Sequence, residues 1–176
     1  MPIKTRLTER LALRHPVLLA PMGSVAGGAL AGAVTAAGGL GLIGGAYGDA
    51  EWLERQFAAA GNHRIGCGFI TWSLAQRPAL LDLALAHRPA AMMLSFGDPR
   101  PFAGKIKAAG AALICQVQTL RHVDEAIDAG ADIIVAQGSE AGGHGGTRAT
   151  LPLVPQIADV VARRAPQAIV VAAGGI

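Results

Sequence analysis

The sequence has few aromatic and few charged residues. Of its 176 residues, 4% are aromatic and 15% are charged, whereas 52% are hydrophobic and the mean hydropathy is +0.41. This composition excludes an intrinsically disordered chain, because disordered segments are poor in apolar residues and rich in charge. The 24 glycines follow no G-X-Y period, which excludes a collagen-like fibre. The sequence therefore predicts a globular chain with many tight loops.

A strong excess of one charge is also missing. Fifteen Lys and Arg face twelve Asp and Glu, and the basic residues are scattered singly over the chain, so no nucleic-acid partner is expected. Metal-binding patterns such as C-x-x-C and H-E-x-x-H are absent, and no metal site is predicted. The two cysteines, Cys67 and Cys115, lie in apolar runs, and we interpret them as buried thiols of a cytoplasmic protein.

No formal charge occurs between Arg14 and Asp49, and the stretch from Gly27 to Ala46 has the length and hydropathy of a membrane span. The stretch is not uniform, because a glycine pair divides a run of small residues from a β-type run. We therefore favour a strand, a helix and a second strand over a membrane span. The apolar run that ends before Pro21 is too short for a signal peptide, so export is not expected.

Seven short apolar runs are continuous rather than alternating, which is typical of parallel strands covered by helices on both faces. The predicted strands are Val17 to Ala20, Leu40 to Ile43, Ile65 to Ile70, Ala91 to Ser95, Leu113 to Val117, Ile133 to Ala136 and Ile169 to Ala173. Helical segments with stop signals are predicted at Glu51 to Ala60, Pro78 to Ala86, Ala103 to Ala109, Val123 to Ala129 and Gln156 to Arg164.

This alternation predicts an α/β protein, for which a (βα)8 barrel of the TIM type and an open doubly wound sheet are the two candidates. A complete barrel usually needs at least about 200 residues. We therefore predict a single domain, residues 1–176, that forms the N-terminal portion of a barrel: about six βα units and the seventh strand. The G-x-G-x-x-G pattern at Gly39, Gly41 and Gly44 follows a helix and lies within a strand, which is the wrong place for a dinucleotide fingerprint.

The densest cluster of unusual residues follows the strand that ends at Ala136. It reads Gln137-Gly138-Ser139-Glu140-Ala141-Gly142-Gly143-His144-Gly145-Gly146. In a βα barrel, the carboxyl ends of the strands carry the active site. Glycines let the backbone approach a ligand closely, and a histidine changes protonation near neutral pH, as a general base must. The alternative interpretation is a flexible glycine loop with an exposed histidine.

Small residues and amides follow the other predicted strands. Examples are Ala20-Pro21-Met22 after the first strand, Gln116 and Gln118 at the fifth, and Gly174-Gly175 after the seventh. Together they predict a mouth with few charges that suits a large, flat, neutral ligand with an anionic tail. The pair Gly174-Gly175 is a candidate cradle for a phosphate.

These motifs resemble those of the nitronate monooxygenases, once called 2-nitropropane dioxygenases. The resemblance rests on Pro16 to Met22, Ala36 to Gly41, Gly66 to Ile70 and, above all, Gln137 to His144. These are FMN-binding barrels, longer than this chain, and the family also includes flavin-dependent enoyl-ACP reductases. The resemblance implies that oxygen oxidises alkyl nitronates, or the nitroalkanes that form them, to a carbonyl compound and nitrite, with FMN as cofactor.

The resemblance also implies roles for individual residues. His144 would be the catalytic base that removes the α-proton of a nitroalkane, or would hold the nitronate against the flavin. The implied FMN-binding residues are Ala20, Pro21, Met22, Gln116, Gln137, Gly138, Gly142, Gly143, Gly174 and Gly175. The expected partners are small molecules and further copies of the chain, with no membrane or nucleic acid.

The chain departs from the family pattern at several places. Many relatives have Asn in place of Gly68 and Lys in place of Gln116, and the second phosphate-binding turn of the family lies beyond Ile176. Two alternative functions therefore stay open: an enoyl-ACP reductase-like enzyme and a non-catalytic, truncated barrel fragment with unpaired strand edges.

Overall fold

The computed structural model describes residues 3–176 as a parallel sheet whose strands alternate with helices. The elements in chain order are α1 (Arg6–Leu11), α2 (Gly28–Ala36), β1 (Leu42–Ala46), α3 (Ala50–Ala59), β2 (Gly66–Ile70), α4 (Thr71–Leu74), α5 (Ala79–Ala86), β3 (Ala91–Ser95), α6 (Arg100–Ala108), β4 (Ala112–Val117), α7 (Leu120–Asp128), β5 (Ile133–Gln137), a short 3-10 helix (Ser139–Ala141), α8 (Thr150–Arg164) and β6 (Ile169–Ala173).

The six strands lie side by side in the order in which they occur in the chain, and every neighbouring pair is parallel. A doubly wound sheet reverses its strand order at a switch point, so the open-sheet alternative is wrong. A consecutive order with a helical segment between neighbouring strands is the arrangement of a βα barrel. The predicted α/β barrel type, incomplete within this chain, is confirmed.

The first predicted strand, Val17 to Ala20, is wrong as a regular strand. Its backbone pairs with Leu40 through two hydrogen bonds of 2.9 and 3.0 Å, and only one bridge forms. Pro16 and Pro21 flank it, and because proline has no N–H, neither residue extends the ladder. The segment nevertheless lies beside the residues that lead into β1, at the position of the first strand of a barrel.

The uncharged stretch from Gly27 to Ala46 forms α2 and β1, so the interpretation as helix and strand within a globular fold is confirmed. Helix α2 passes so close to the start of β1 that a Cβ atom on Gly41 would lie 1.9 Å from the Ala31 carbonyl oxygen. Packing therefore explains this glycine of the G-x-G-x-x-G pattern. Within residues 3–176, no helix is long and apolar enough to cross a membrane.

Most predicted boundaries agree with the structure to within about two residues, but three helices and the end of β1 differ more. Helix α8 begins at Thr150 rather than Gln156. Pro152 lies in its first turn, where a backbone N–H has no partner within the helix, so this proline costs no hydrogen bond. The helix also contains Pro155. Helices α6 and α7 each begin three residues before their predicted starts. Helix α1 was not predicted, although Thr5 and Thr8 form a reciprocal capping box at its start.

The sheet separates two apolar cores, because successive side chains of a strand point to opposite faces. The outer core lies between the sheet and helices α2 to α8 and contains Ile43, Met92, Leu113, Ile134 and their helical partners. The inner core contains Leu42, Met93, Ile114, Ile133 and Val135, together with Leu7 and Leu11 of α1. Both faces are covered, which explains why the strands are continuously apolar.

The arginines of α1 fix this helix at the amino ends of the last two strands. Arg6 donates to the Pro166 and Gln167 carbonyl oxygens ahead of β6, and Arg10 pairs with Asp132 ahead of β5 at 2.9 Å. Helix α1 therefore covers the inner core at one end of the sheet. The opposite end, where the strands terminate, is left for the candidate site.

Both cysteines are free and buried, as predicted. Burial raises the pKa of Cys67 to about 12, and it raises the pKa of Cys115 to about 12 as well. At neutral pH both thiols are therefore protonated and behave as small apolar side chains.

Candidate functional site

The inner face of the sheet changes from apolar to polar where β3, β4 and β5 end. Ser95 Oγ donates to Gln116 Oε1 at 3.1 Å, and Gln116 Nε2 donates to Gln137 Oε1. Gln118 Nε2 donates to the same Gln137 oxygen at 2.8 Å. The structure thus brings two predicted cofactor residues, Gln116 and Gln137, into one polar row. Amides both donate and accept, so the row matches the edge of a neutral ring that carries donors and acceptors in turn.

The predicted cofactor segment Ala20-Pro21-Met22 passes over the ends of β1 and β2. A Cβ atom on Gly68 would lie 2.4 Å from Pro21 Cγ, and one on Gly44 would lie 2.4 Å from the Met22 carbonyl oxygen. The Pro21 ring therefore fills the space that any larger side chain at position 68 would need. Met22 is 43% exposed and stands at the rim of the mouth.

The glycines of the loop after β5 have two different reasons to be glycine. Gly142 and Gly143 have φ angles of 73° and 65°, and nothing lies within 4 Å of a Cβ atom built on either. Such angles are strained for other residues, and the open space lets a ligand reach the backbone. At Gly138 and Gly174, by contrast, a Cβ atom would lie 2.1 and 2.7 Å from Thr150 Oγ1. These two glycines let the start of α8 pack against the ends of β5 and β6.

Gly175, the other half of the predicted phosphate cradle, borders the glycine loop. Its φ angle is 67°, it is exposed, and a Cβ atom on it would lie 3.2 Å from Glu140 Cβ. The carboxylate of Glu140 accepts from the Thr150 backbone N–H at 2.8 Å and from its hydroxyl at 2.9 Å. Glu140 therefore caps α8, since Ala149 at the N-cap has no side chain that could do so.

This cap predicts an acid-dependent loss of stability. The hydrogen bond from the Thr150 backbone N–H, followed by the bonds from the Glu140 backbone and the Thr150 hydroxyl, lowers the pKa of Glu140. A carboxylate with a lowered folded-state pKa contributes stability above its unfolded pKa and loses it as pH falls through the folded value. We expect Glu140→Gln to lower the free energy of unfolding at pH 7, with a smaller difference from wild type below about pH 4.

Urea unfolding of both proteins at several pH values measures this difference. Glu51→Gln is the matched control, because Glu51 also lies in the first turn of a helix but does not cap it. A Glu140→Gln deficit that stays constant from pH 7 to about pH 3 would contradict the capping role.

His144, the predicted base, stands exposed at the mouth among aromatic side chains. Its Nε2 lies 3.2 Å from the Tyr47 hydroxyl, and its ring centre lies 5.3 Å from that of Phe96. The Tyr47 ring in turn lies 5.7 Å from Trp72. Gln118 Nε2 donates to the His144 carbonyl oxygen at 2.9 Å and so ties the glycine loop to the polar row.

Sequence reasoning missed the three aromatic residues Tyr47, Trp72 and Phe96. A signal was present, because each follows the end of a strand by one or two residues and Tyr47 is the only tyrosine of the chain. The sequence does not show the backbone conformation that orients these side chains. Ala46 and Phe96 have φ angles of 45° and 62°, and the register between β1 and β2 shifts between Gly44 and Ala46.

Such strained angles in residues other than glycine cluster at functional sites, and bulges redirect side chains there. The Tyr47 carbonyl oxygen accepts from Ser73 Oγ at 3.0 Å, which fixes the turn that follows the bulge. The mouth of the sheet therefore combines an anchored imidazole, an aromatic wall and a row of amides. In the part of the chain that the structure describes, no group of three His, Cys, Asp or Glu could hold a metal ion.

Comparisons with known proteins agree with this geometry. The family model "Nitronate monooxygenase" matches residues 4–62 and 70–176. A curated 5-hydroxy-7a-methyl-1-oxo-octahydro-1H-indene-4-carboxyl-CoA dehydrogenase from Rhodococcus jostii is 31% identical over 98% of this chain, which covers 48% of that protein. The chain spans about half to three fifths of the length of the curated relatives that it matches.

Two solved structures are similar over nearly the whole chain. FabK from Thermotoga maritima is 28% identical with a TM-score of 0.86, over 99% of this chain and 55% of that one. A nitroalkane oxidase from Streptomyces ansochromogenes is 27% identical with a TM-score of 0.76, over 98% of this chain and 61% of that one. Since the family model leaves only residues 63–69 unmatched between its first and last positions, the chain belongs to the nitronate monooxygenase family, whose members are flavin oxidoreductases.

Proposed function

We propose that this protein oxidises alkyl nitronates, and the nitroalkanes from which they form, to a carbonyl compound and nitrite, with FMN as cofactor and oxygen as oxidant. The observation that carries the proposal is the placement of His144 at the mouth of the barrel, tied to a polar row that suits a flavin edge. The family match and the nitroalkane oxidase neighbour support the same reaction class.

The residues at the mouth fit a flavin in three respects. Gln116 and Gln137 offer amides to the ring edge, and Met22 borders the same opening from the first loop. Gly142 and Gly143 leave space on the backbone, and Gly175 has the left-handed conformation found in anion-binding nests. Ala20, Pro21, Gly138 and Gly174 complete the proposed FMN set. A bound flavin would supply the redox chemistry that no side chain provides.

The chain itself would supply the proton acceptor. The α-carbon of a nitroalkane is acidic because the nitro group takes up the electron pair that remains when the C–H bond breaks. His144 would accept this proton and become an imidazolium, which then stabilises the nitronate anion beside it. The aromatic wall of Tyr47, Phe96 and Trp72 would exclude water from one side of the ion pair.

The experiment that tests this function has two steps. The purified chain is loaded with FMN, its visible absorbance is recorded, and released cofactor is identified by mass spectrometry. Nitrite formation and oxygen consumption are then followed with preformed nitronate. We expect about one FMN per chain and equal initial rates of nitrite formation and nitronate loss. A folded chain that binds no flavin would support the truncated-fragment alternative instead.

A second candidate is reduction of an unsaturated thioester, the branch represented by the enoyl-ACP reductases. The Rhodococcus jostii relative is a dehydrogenase of a carboxyl-CoA compound, and the FabK likeness has the higher of the two TM-scores. Oxidation of NADH or NADPH by the FMN-loaded protein would favour this candidate. Oxidation of nitronate without either nucleotide would favour the first.

Several expectations stay predictions within this proposal. They are the single-domain organisation, oxygen as co-substrate, assembly with further copies of the chain and a cytoplasmic location.

A further inference from the structure

The pair formed by Tyr47 and His144 carries an inference that deepens the proposed function and rests on it. The Tyr47 hydroxyl lies 3.2 Å from Nε2, and the two rings meet at 69°, so the contact is edge-on and in hydrogen-bond range. Among residues 3–176, Nδ1 of His144 has no hydrogen-bond partner. The two ring nitrogens of this exposed histidine are therefore in different environments, because only Nε2 lies within hydrogen-bond distance of another side chain.

Which nitrogen carries the proton decides whether the imidazole can act as a base. In neutral histidine, one nitrogen has an N–H and the other a lone pair, and the hydrogen bond at one nitrogen selects the tautomer. If Nε2–H donates to the Tyr47 oxygen, Nδ1 carries the free lone pair. If the Tyr47 hydroxyl donates to Nε2 instead, the proton sits on Nδ1 and no free lone pair faces the substrate.

We infer that Tyr47 is a positioning residue that accepts a hydrogen bond from His144 Nε2–H and thereby makes Nδ1 the proton acceptor for the substrate. The same contact is kept after the reaction, because both nitrogens of the imidazolium are donors and Nε2–H still faces the Tyr47 oxygen. Tyr47 never touches the substrate in this role. Its effect passes through the orientation and tautomer of His144.

The surroundings of Tyr47 are built to hold the hydroxyl at one place. The bulge at Ala46 and the bond from Ser73 to the Tyr47 carbonyl oxygen fix its backbone, and Trp72 packs against its ring at 5.7 Å. Gln118 fixes the His144 backbone from the other side. Two independent anchors thus converge on His144, one at its imidazole and one at its backbone. Hydrogen-bonded neighbours orient catalytic bases in the same way in other enzymes.

Tyr47→Phe removes the hydroxyl and keeps the ring. We expect turnover of a neutral nitroalkane to fall about tenfold in kcat, the effect of about one hydrogen bond, because part of the imidazole would adopt the unproductive tautomer or orientation. Turnover of preformed nitronate should change less than twofold, since its proton is already gone. Thr5→Ala is the matched control, because it removes a hydroxyl from the N-cap of α1, at the opposite end of the sheet from the mouth.

A second measurement reports on the tautomer directly and needs neither flavin nor substrate. The chain is labelled with 15N in histidine, and the His144 signals are assigned from their loss in His144→Gln. At alkaline pH, where imidazoles are neutral, the 15N shifts distinguish Nε2–H from Nδ1–H. We expect the Nε2–H tautomer to predominate in wild type and in Thr5→Ala, and to decline in Tyr47→Phe.

Equal tautomer populations in wild type and Tyr47→Phe would overturn the inference, as would predominance of Nδ1–H in wild type. These results are independent of the reaction class. A protein that turns over neither nitroalkane nor nitronate contradicts the proposed function, while the 15N shifts still decide whether Tyr47 positions His144.

Discussion

His144→Ala is expected to abolish measurable turnover of neutral nitroalkanes while FMN binding persists. General base catalysis by a positioned side chain contributes about 100-fold to 10,000-fold to a rate, and His144 is the proposed base. FMN binding should survive because the proposed cofactor contacts come from the amide row and the glycines. Turnover of preformed nitronate should fall by less than tenfold, because the step that needs the base is bypassed.

The measurement compares kcat/KM for the nitroalkane and for its nitronate in wild type, His144→Ala and His63→Ala. His63 is the matched control: it is exposed and precedes β2, so it lies at the opposite end of the sheet. Residual nitroalkane turnover within threefold of wild type would remove His144 from the role of base. An equal loss for both substrates would instead assign His144 to binding of the anion, because the proton would no longer matter.

The architecture was predictable because burial on both faces leaves a strong mark on a sequence. Five of the six strands that the structure contains differ from their predicted bounds by no more than one residue at either end, since a covered parallel strand must be continuously apolar. The choice of a barrel over a doubly wound sheet came from the number of βα units and the chain length rather than from any single residue, and the strand order became visible only in the structure. The first strand was overestimated, because its apolar residues do not reveal that Pro16 and Pro21 interrupt pairing.

The candidate site was predictable only in part. His144, Gln116 and Gln137 stood out because polar residues after buried strands are unusual. The sequence did not distinguish the two roles of the glycines. In the structure, Gly138 and Gly174 pack on α8, whereas Gly142 and Gly143 face open space. That difference depends on where α8 begins. Because of Pro152 and Pro155, the sequence predicted a later start for this helix.

Tyr47 was missed for a related reason. Its hydroxyl reaches His144 because a bulge and a left-handed residue turn the chain after β1. The left-handed residue is an alanine, a type that rarely adopts this conformation, so no sequence signal marks the turn. Strained positions of this kind are where local rules fail and where function is found.

Gly175→Asp is expected to weaken FMN binding by at least about 100-fold relative to Gly175→Asn. Both side chains are among the few that tolerate the φ angle of 67° at this position, and they have nearly the same shape. They differ by one negative charge next to the proposed phosphate site. Two unit charges about 5 Å apart repel by about 3 kcal/mol at an effective dielectric constant of about 20, which corresponds to more than a hundredfold in Kd.

The affinities are measured by quenching of flavin fluorescence in parallel titrations of the two variants. Riboflavin, which lacks the phosphate, provides the second comparison: its affinity should be the same for Gly175→Asp and Gly175→Asn, because the added charge then faces no anion. Salt should narrow the difference for FMN, since repulsion at an exposed site is screened. If both variants bind FMN equally, the phosphate lies elsewhere and Gly175 serves only the turn beside Glu140. If Gly175→Asp weakens riboflavin as much as FMN, the substitution has disturbed the loop rather than the charge.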